Sequence, residues 1–501
     1  MTTIDRAEQQ IAAEDTPSVA AVLRSRKDLT REILAGTVTA LALIPEVISF
    51  SFISGVDAKV ALVASIVLGL VMSALGGRPG MVTAAAGSIA LVIGPMVREH
   101  GTGYILPTII MAGLVQIGFG LLGLSRLTRF IPRSVMIGFV NSLGILIFVA
   151  QVPHLLHVPL VVYPLFALTV AIVLLMPRLT TAVPAPLIAV LVVTAIVIYG
   201  GLSVPNVGGE GSMAQGLPGI TAFVVPLSLD TLRIIWPTAL SVAFVGLLET
   251  LLTAKLVDEL TDTRSKKGKE SWALGIANIA AGFYGGIAGC AMIGQTVVNV
   301  KIGGGRSRIS TAAAALALLA LVTVLSDFMA QIPLVALAAV MMIVAIKTFD
   351  WHSVMPATLR RMPAPETLVL LITTVITVAT GNLAVGIAGG VLLAMVLFAR
   401  RVAYVISVER VLSEDGDHVR YEVHGPLFFG SSNDLVERFL YANDPGHVTV
   451  DLTHAQIWDA STVAALDSIE TKYRARGSAI SFTGLDQRST DFHQRLSGTL
   501  A

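Results

Sequence analysis

Residues 234–257 read IIWPTALSVAFVGLLETLLTAKLV, an apolar run whose only charges are Glu249 and Lys255. At about 1.5 Å of rise per residue such a run crosses a hydrocarbon layer of about 30 Å as one helix. It is not isolated. The 501-residue chain has 34 Lys or Arg and 33 Asp or Glu, 13% charged, where a soluble domain carries about 25%. The charges are also unevenly spread: residues 1–32 hold 11, residues 405–501 hold 22, and the 372 residues between hold 34. A middle with so few charges predicts a polytopic membrane domain with a soluble tail.

Apolar runs set against Pro, Gly and charge punctuation predict fourteen segments. The first seven fall near 33–52, 58–75, 81–97, 103–124, 131–150, 160–176 and 182–202. The others fall near 234–257, 272–289, 291–302, 309–328, 332–348, 366–381 and 383–404. With the N-terminus inside, eighteen basic residues lie on inside connections, among them Arg78, Arg126, Arg129, Arg306 and Arg308, and only Lys59, Arg98 and Arg233 outside. That bias supports the orientation and an even number of crossings. Seven segments on each side of the outside linker at 203–233 re-enter with opposite orientation, the arithmetic of an inverted repeat. Segments three and ten are short and rich in Gly, Ala and Thr, and read as half-helices buried by their neighbours.

The expected organisation is an inside N-terminal segment at 1–32, a membrane domain at 33–404 and a soluble α/β domain at 405–501 on the inside. Within the last, 419–423 reads as a strand, 433–442 as a helix, His447 to Leu452 as a strand, Ser461 to Arg476 as a helix and Ser478 to Thr483 as a strand. The first apolar run begins near Ile33 after a polar segment, which does not match a cleavable signal peptide. The net charge of +1 gives no reason to expect nucleic-acid binding. Cys290 is the single cysteine, so an intramolecular disulfide and a thiolate-rich metal site are excluded.

Two carboxylates stand inside apolar segments, Glu46 after Pro45 and Glu249. A charge at mid-bilayer is costly, so each is expected to face a cavity or a partner and to mark a transport path; the alternative is a neutral, hydrogen-bonded Glu that packs helices. Glu249 and Thr253 share a helix face and could hold a small cation or a proton-linked polar network. The half-helix candidates begin around Thr83 to Ser88 and Gly289 to Thr296, where unpaired N–H groups and the positive end of the helix dipole favour an anion. Gly87, Ser88, Gly294, Gln295 and Thr296 are therefore the candidate substrate residues. The run Gly303-Gly304-Gly305-Arg306-Ser307 lacks the Gly-Lys-Ser/Thr ending of a phosphate loop. His154 and His157 have no acidic or thiol partner nearby in sequence, and no metal site is assigned there.

The sequence resembles the sulfate permease family of secondary anion transporters over nearly its whole length. The likeness rests on Asp28 to Pro45 (DLTREILAGTVTALALIP), Gly246 to Ala254 (GLLETLLTA), Gly275 to Ile279 (GIANI), Val297-Val298-Asn299 followed by Gly304-Gly305-Arg306, and Gly425 to Gly430 (GPLFFG). It is nearest to bacterial members with Gly77-Arg78-Pro79-Gly80 and Ala291 to Gln295, a group similar to bicarbonate transporters. The resemblance implies an all-α membrane domain of fourteen transmembrane segments in a seven-plus-seven inverted repeat, a core moving against a gate, and a tail of the sulfate transporter and anti-sigma antagonist (STAS) type. It also implies an anion site between the starts of helices three and ten, a homodimer, and a bacterial inner-membrane location with both termini cytoplasmic. Glu249 and Thr253 match positions that hold sodium in bicarbonate transporters, and Gly294 to Thr296 match the tenth-helix site.

The family often has Arg where this chain has Gln295, which weighs against strongly sulfate-like or chloride-like selectivity. It often has Gln where this chain has Glu46, and the extra carboxylate points to proton coupling or a protonatable substrate. In the tail Asp459-Ala460-Ser461-Thr462 matches the anti-sigma-antagonist signature, with Ala460 in place of its phosphorylatable Ser. The expectation is thus no enzyme but a symporter importing bicarbonate or a short dicarboxylate such as fumarate, with H⁺ or Na⁺ as coupling ion and Glu249, Thr253 and Glu46 as its candidate residues. A sulfate transporter or anion exchanger, an anion channel, and a membrane-anchored scaffold whose STAS tail binds a cytoplasmic protein are the alternatives.

Overall fold

The structure, a computed structural model, describes residues 17–123, 131–179, 183–210, 219–226, 228–403 and 406–498. Arg126 and Arg129, counted above as inside residues, and linker residues 211–218 lie outside them. Contacts divide the chain into two compact units, Met1–Val391 and Leu392–Ala501.

In the first unit the sequence segments appear as helices α1 (Arg26–Ser54), α2 (Ala58–Leu75), α3 (Gly87–His100), α4 (Ile105–Leu121), α5 (Arg133–Gln151), α6 (Val162–Leu179) and α7 (Ala185–Tyr199). The second set is α8 (Leu229–Thr261), α9 (Lys267–Gly282), α10 (Ile293–Val297, continued by a π turn over Val298–Ile302), α11 (Arg308–Val324), α12 (Leu334–Thr348), α13 (Ala364–Thr380) and α14 (Leu383–Ala403), the last of which runs across the boundary into the second unit. Among the described residues seven helices are long and apolar enough to cross a membrane, and α7, α11, α12 and α13 are shorter but apolar. Local chemistry sets their ends. The Ser25 hydroxyl accepts from Asp28 N at the start of α1, and Ser228 from Thr231 N at the start of α8. Helix α1 stops at Gly55, whose φ of 74° is the left-handed geometry of a helix stop.

Packing carries the mark of the repeat. Helix α1 lies on α11 as α4 lies on α8; α2 lies on α11 as α4 lies on α9; α5 lies on α13 as α6 lies on α12; and α2 meets α9 as α5 meets α12. Each of these pairs maps onto its mate, or onto itself, when helix numbers are exchanged by seven, as an inverted repeat requires. With the further contacts of α3, α7 and α10, and with Gly386 and Gly390 of α14 set against Thr377 and Thr373 of α13, the bundle sorts into α1–α4 with α8–α11 and α5–α7 with α12–α14.

Helices three and ten are each broken in the expected place. Strand β1 (Thr83–Ala85) precedes α3, strand β2 (Gly289–Ala291) precedes α10, and the two pair antiparallel with Ala84 opposite Cys290. The ninth segment differs from its expected span of 272–289. It starts earlier, at Lys267, because Lys269 and Glu270 belong to its first turn. It ends at Gly282, ahead of Gly285 with its φ of 73°.

In the second unit strands β3 (Ser407–Leu412), β4 (His418–Leu427), β5 (His447–Ile457) and β6 (Ala479–Thr483) form a sheet in that order. The first pair is antiparallel and the rest are parallel. Helices α15 (Ser432–Glu437) and α16 (Ala460–Arg474) supply the crossovers that parallel neighbours need, and α17 (Gln487–Leu496) closes the unit. Tyr421, Val450, Leu452, Leu466, Ile469 and Tyr473 are buried in its core. Three details correct the sequence reading. The expected 433–442 helix ends at Glu437 because Phe439 leaves it to pack in the core. Strand β3 is an edge strand with mostly exposed, partly charged side chains, so it shows no alternation. Helix α17 has too few apolar residues to stand out from the sequence.

Candidate functional site

The β1–β2 pair is only three residues long, and within a membrane domain its peptide groups need internal partners. The Ser65 hydroxyl of α2 accepts from Ala85 N at 3.1 Å. Asn278 of α9 accepts from Gly289 N at 2.8 Å, donates to Gln116 of α4 at 2.8 Å, and Gln116 donates to Ala243 O of α8 at 3.4 Å. On the other edge Thr250 accepts from Ala291 N and Thr253 donates to Ala291 O, each at 3.0 Å. The strand is thereby clamped along the Thr250–Thr253 face of α8.

That clamp presents Glu249 to both half-helices. Its Oε2 accepts from the hydroxyl of Ser88, the second residue of α3, and from the Cys290 thiol of β2 at 3.1 Å. Ser88 and Cys290 are themselves 3.8 Å apart. Glu46 of α1 reaches the side chain of Gln295 in α10. Thr296 of α10 accepts from Val82 N at 3.0 Å. Neither α3 nor α10 has a side chain capping its start, which leaves first-turn N–H groups free for an anion.

Close approach depends on glycine at two points. A Cβ on Gly289 would stand 2.2 Å from Ala84 O, and one on Gly87 would stand 2.5 Å from the Phe50 ring. At Gly294 the corresponding position is open, with nothing within 4 Å.

All eight residues singled out by sequence lie on these elements. Glu249, Ser88 and Thr253 form one hydrogen-bonded cluster around β2, and Glu46 and Gln295 form a second contact between α1 and α10. Thr253 spends its proton on the main-chain carbonyls of Glu249 and Ala291. Sequence reasoning missed Cys290 as a partner of Glu249, along with Thr250, Ser65, Asn278 and Gln116. Thr250 and Asn278 both stand inside the stretches quoted for the resemblance, and Cys290 inside the half-helix candidate at Gly289 to Thr296, but their hydrogen bonds follow from a strand pairing that no periodicity reports. Among the described residues no group of three or more His, Cys, Asp or Glu side chains could hold a metal ion.

The profile of the sulfate permease family matches residues 29–169 and 159–373, and that of the STAS domain matches 410–496. A Bacillus subtilis protein named "Putative sulfate transporter YbaR" is 44% identical over 469 residues, which is 94% of this chain and 97% of that one. The solved transmembrane domain of a cyanobacterium bicarbonate transporter, BicA, is 26% identical with a TM-score of 0.64, over 72% of this chain and 98% of that one. The murine SLC26A9 anion transporter in its inward-facing state shares the fold, with a TM-score of 0.82 at 16% identity over 97% of this chain and 91% of that one.

Proposed function

The chain belongs to the sulfate permease family, and from that premise we propose that it is a secondary active importer of bicarbonate or a short dicarboxylate such as fumarate, driven by symport with a proton. Anion transport by a multi-pass membrane protein follows from the family; the substrate and the coupling ion are the proposal. The observation that carries it is the joint hold of Ser88 and Cys290 on Glu249 Oε2.

The free N–H groups at the starts of α3 and α10 would bind the anion, with Gln295, Thr296 and Ser88 supplying further hydrogen bonds. A carboxylate beside an anion in a low-dielectric cavity is repelled by it, so the anion binds more tightly once Glu249 is protonated, and the proton in turn binds more tightly once the anion is present. That reciprocity is what symport requires. Movement of α1–α4 with α8–α11 against the remaining helices would then carry both across, with both chain termini on the cytoplasmic side of a bacterial inner membrane.

Sodium is the second reading for the coupling ion, since Glu249 and Thr253 match sodium-holding positions of relatives. The donor set favours the proton: the groups around Oε2 are a hydroxyl and a soft thiol, each directing hydrogen at the oxygen where a hard cation would sit. Sulfate is the second reading for the substrate, supported by the name of the Bacillus relative.

Radiolabelled uptake of bicarbonate, fumarate, sulfate and chloride into proteoliposomes, under imposed pH or sodium gradients, tests both choices. Glu249→Gln should abolish gradient-driven uptake while leaving the protein folded. Full coupled uptake by that variant would remove Glu249 from the mechanism. Uptake that neither saturates nor runs uphill would identify a channel.

A further inference from the structure

At the end of the bundle that carries the start of α1, the loop between α2 and β1, the end of α8 and the turn after α10 enclose a cavity of about 60 Å³. It is lined by Arg78, Thr261, Thr263, Gly305 and Arg306. Arg78 is almost fully buried, with a side chain 2% exposed. Its Nη2 donates to Val257 O at 3.3 Å and to the Thr261 hydroxyl, and its Nη1 lies 3.1 Å from Asp258 Oδ1. Among the described residues its Nε–H has no hydrogen-bond partner. A buried guanidinium donor without an acceptor is rare and destabilising, and asks for an oxygen to receive it.

The second cation of the cavity lacks a side-chain partner of its own among the described residues. Asp258 answers Arg78, and the Glu270 carboxylate is held by Gly77 N and Arg78 N. Arg306 is exposed, and among the described residues no carboxylate pairs with its guanidinium; the nearby Glu32 accepts from its main-chain N–H instead. Burial and the Arg306 charge both act to lower the Arg78 pKa, with Asp258 and Glu270 opposing them. Two guanidinium groups that repel one another across a cavity are brought to terms by an anion between them. The volume limits what that anion is. Ligand pockets for drug-sized molecules run from about 300 Å³ upward, whereas this one has room for a single tetrahedral group.

We propose that Arg78 and Arg306 form a binding site for a phosphoryl or sulfuryl oxyanion, separate from the Glu249 cluster and on the face that the basic residues assign to the cytoplasm. Val257 lies eight residues beyond Glu249 on α8, about 12 Å along the helix. Arg78 and Arg306 stand on the loops that lead into β1 and out of the α10 turn. Occupancy would tie together the three elements that build the translocation site without touching it.

The test uses the purified full chain in phosphatidylcholine nanodiscs, with inorganic phosphate as the probe and chloride at matched ionic strength as control. A saturable rise in melting temperature is expected with phosphate alone. Arg306→Gln should weaken the apparent affinity by about tenfold, the loss of one charge-assisted contact, and Arg306→Lys should restore part of it. Arg306 is exposed, so neither variant threatens folding, and Thr263→Val serves as a second probe of the cavity wall. A parallel set of nanodiscs containing phosphatidylglycerol separates the sources. If a lipid headgroup is the occupant, those discs raise the melting temperature, free phosphate adds nothing to it, and Arg306→Gln removes the rise. The proposal is overturned by no response in either lipid. It is equally overturned by a phosphate response that survives Arg306→Gln and Thr263→Val but disappears in Gln295→Ala, which would put the ion at the half-helices. None of these readouts depends on transport, so they stand apart from the assignment of substrate and coupling ion.

Discussion

The Cys290 sulfur lies 3.1 Å from Glu249 Oε2, across 41 residues of sequence, because β2 is clamped along α8. A thiol is a weak donor, but here it is one of two donors on the carboxylate proposed to carry the coupling ion. Cys290→Ala deletes that donor, and Cys290→Ser keeps one. Coupled uptake should fall several-fold, up to about tenfold, in the alanine variant, the scale of one ordinary hydrogen bond of about 0.5–1.5 kcal/mol, as befits a weak thiol donor. The serine variant should stay close to the parent. Initial uptake rates in proteoliposomes, normalised to folded protein, decide it; equal rates for both variants would show that the thiol contributes only bulk.

Gly289 pairs with Ala85 across the two strands, and a Cβ on it would meet the Ala84 carbonyl oxygen at 2.2 Å and a Leu68 methyl at 2.4 Å. Neither the backbone oxygen nor the buried Leu68 can retreat in a packed interior. Gly289→Ala should therefore separate β1 from β2 and sharply reduce monodisperse protein on size exclusion. Gly294→Ala, whose Cβ enters open space, should express normally and serves as the control.

The contrast between these two glycines shows what the sequence discloses and what it withholds. The runs that became α1, α8 and α14 are long and apolar and could be read from hydropathy, as could Glu46 and Glu249, the carboxylates set within such runs. Small-residue content marked the start of α3 and of α10. It did not disclose that the residues before them pair as strands, since Thr83–Ala85 and Gly289–Ala291 are too short to alternate and contain three Ala and one Gly with no β preference of their own. The Cys290, Thr250 and Asn278 contacts exist only through that pairing, so they were out of reach. In the tail β5 could be read from its Val448 to Leu452 alternation, and β3 could not, because an edge strand with Glu409 and Arg410 has no buried face to pattern.

Glu32 is buried at the start of α1 and holds the turn before α11. Its carboxylate accepts from Arg306 N at 2.8 Å, Ser307 N at 3.1 Å, the Ser307 hydroxyl at 2.9 Å and Ser310 N at 3.2 Å. A glutamine of the same shape offers one acceptor oxygen and turns an amide toward these donors. Glu32→Gln should cost about 3 kcal/mol, roughly two charge-assisted hydrogen bonds, seen as a lower melting temperature of the detergent-solubilised protein. An unchanged melting temperature would mean that water replaces the carboxylate without loss.

In the tail, hydrogen bonds from Arg420 and then Thr453 hold the Asp451 carboxyl below the usual carboxylate range. A carboxylate whose folded value is depressed contributes stability that is complete above its unfolded value of about 3.9 and is lost as pH falls from there through the lower folded value. The melting temperature of the tail should therefore fall with acidification below about pH 4. Asp451→Asn should lower stability at neutral pH and flatten that acid limb. An acid limb of unchanged steepness in the variant would assign it to other carboxylates.

Thr250 and Thr253 bind the N–H and the C=O of one residue, Ala291, and they should fail differently. Thr250→Val leaves Ala291 N without a partner in the membrane interior, a loss of about 1–3 kcal/mol, so folded yield should drop and Thr250→Ser should restore it. Thr253→Val removes a donor from the Ala291 carbonyl and from Glu249 O, the latter already engaged within α8, so folding should suffer less. Its effect on transport is the informative part. If the coupling ion is a proton on Glu249, uptake driven by a pH gradient persists in Thr253→Val, because no step uses the Thr253 oxygen. If sodium is the coupling ion, the same variant loses an oxygen ligand and sodium-driven uptake collapses. Measuring both gradients on this one variant separates the two readings of the Glu249 site.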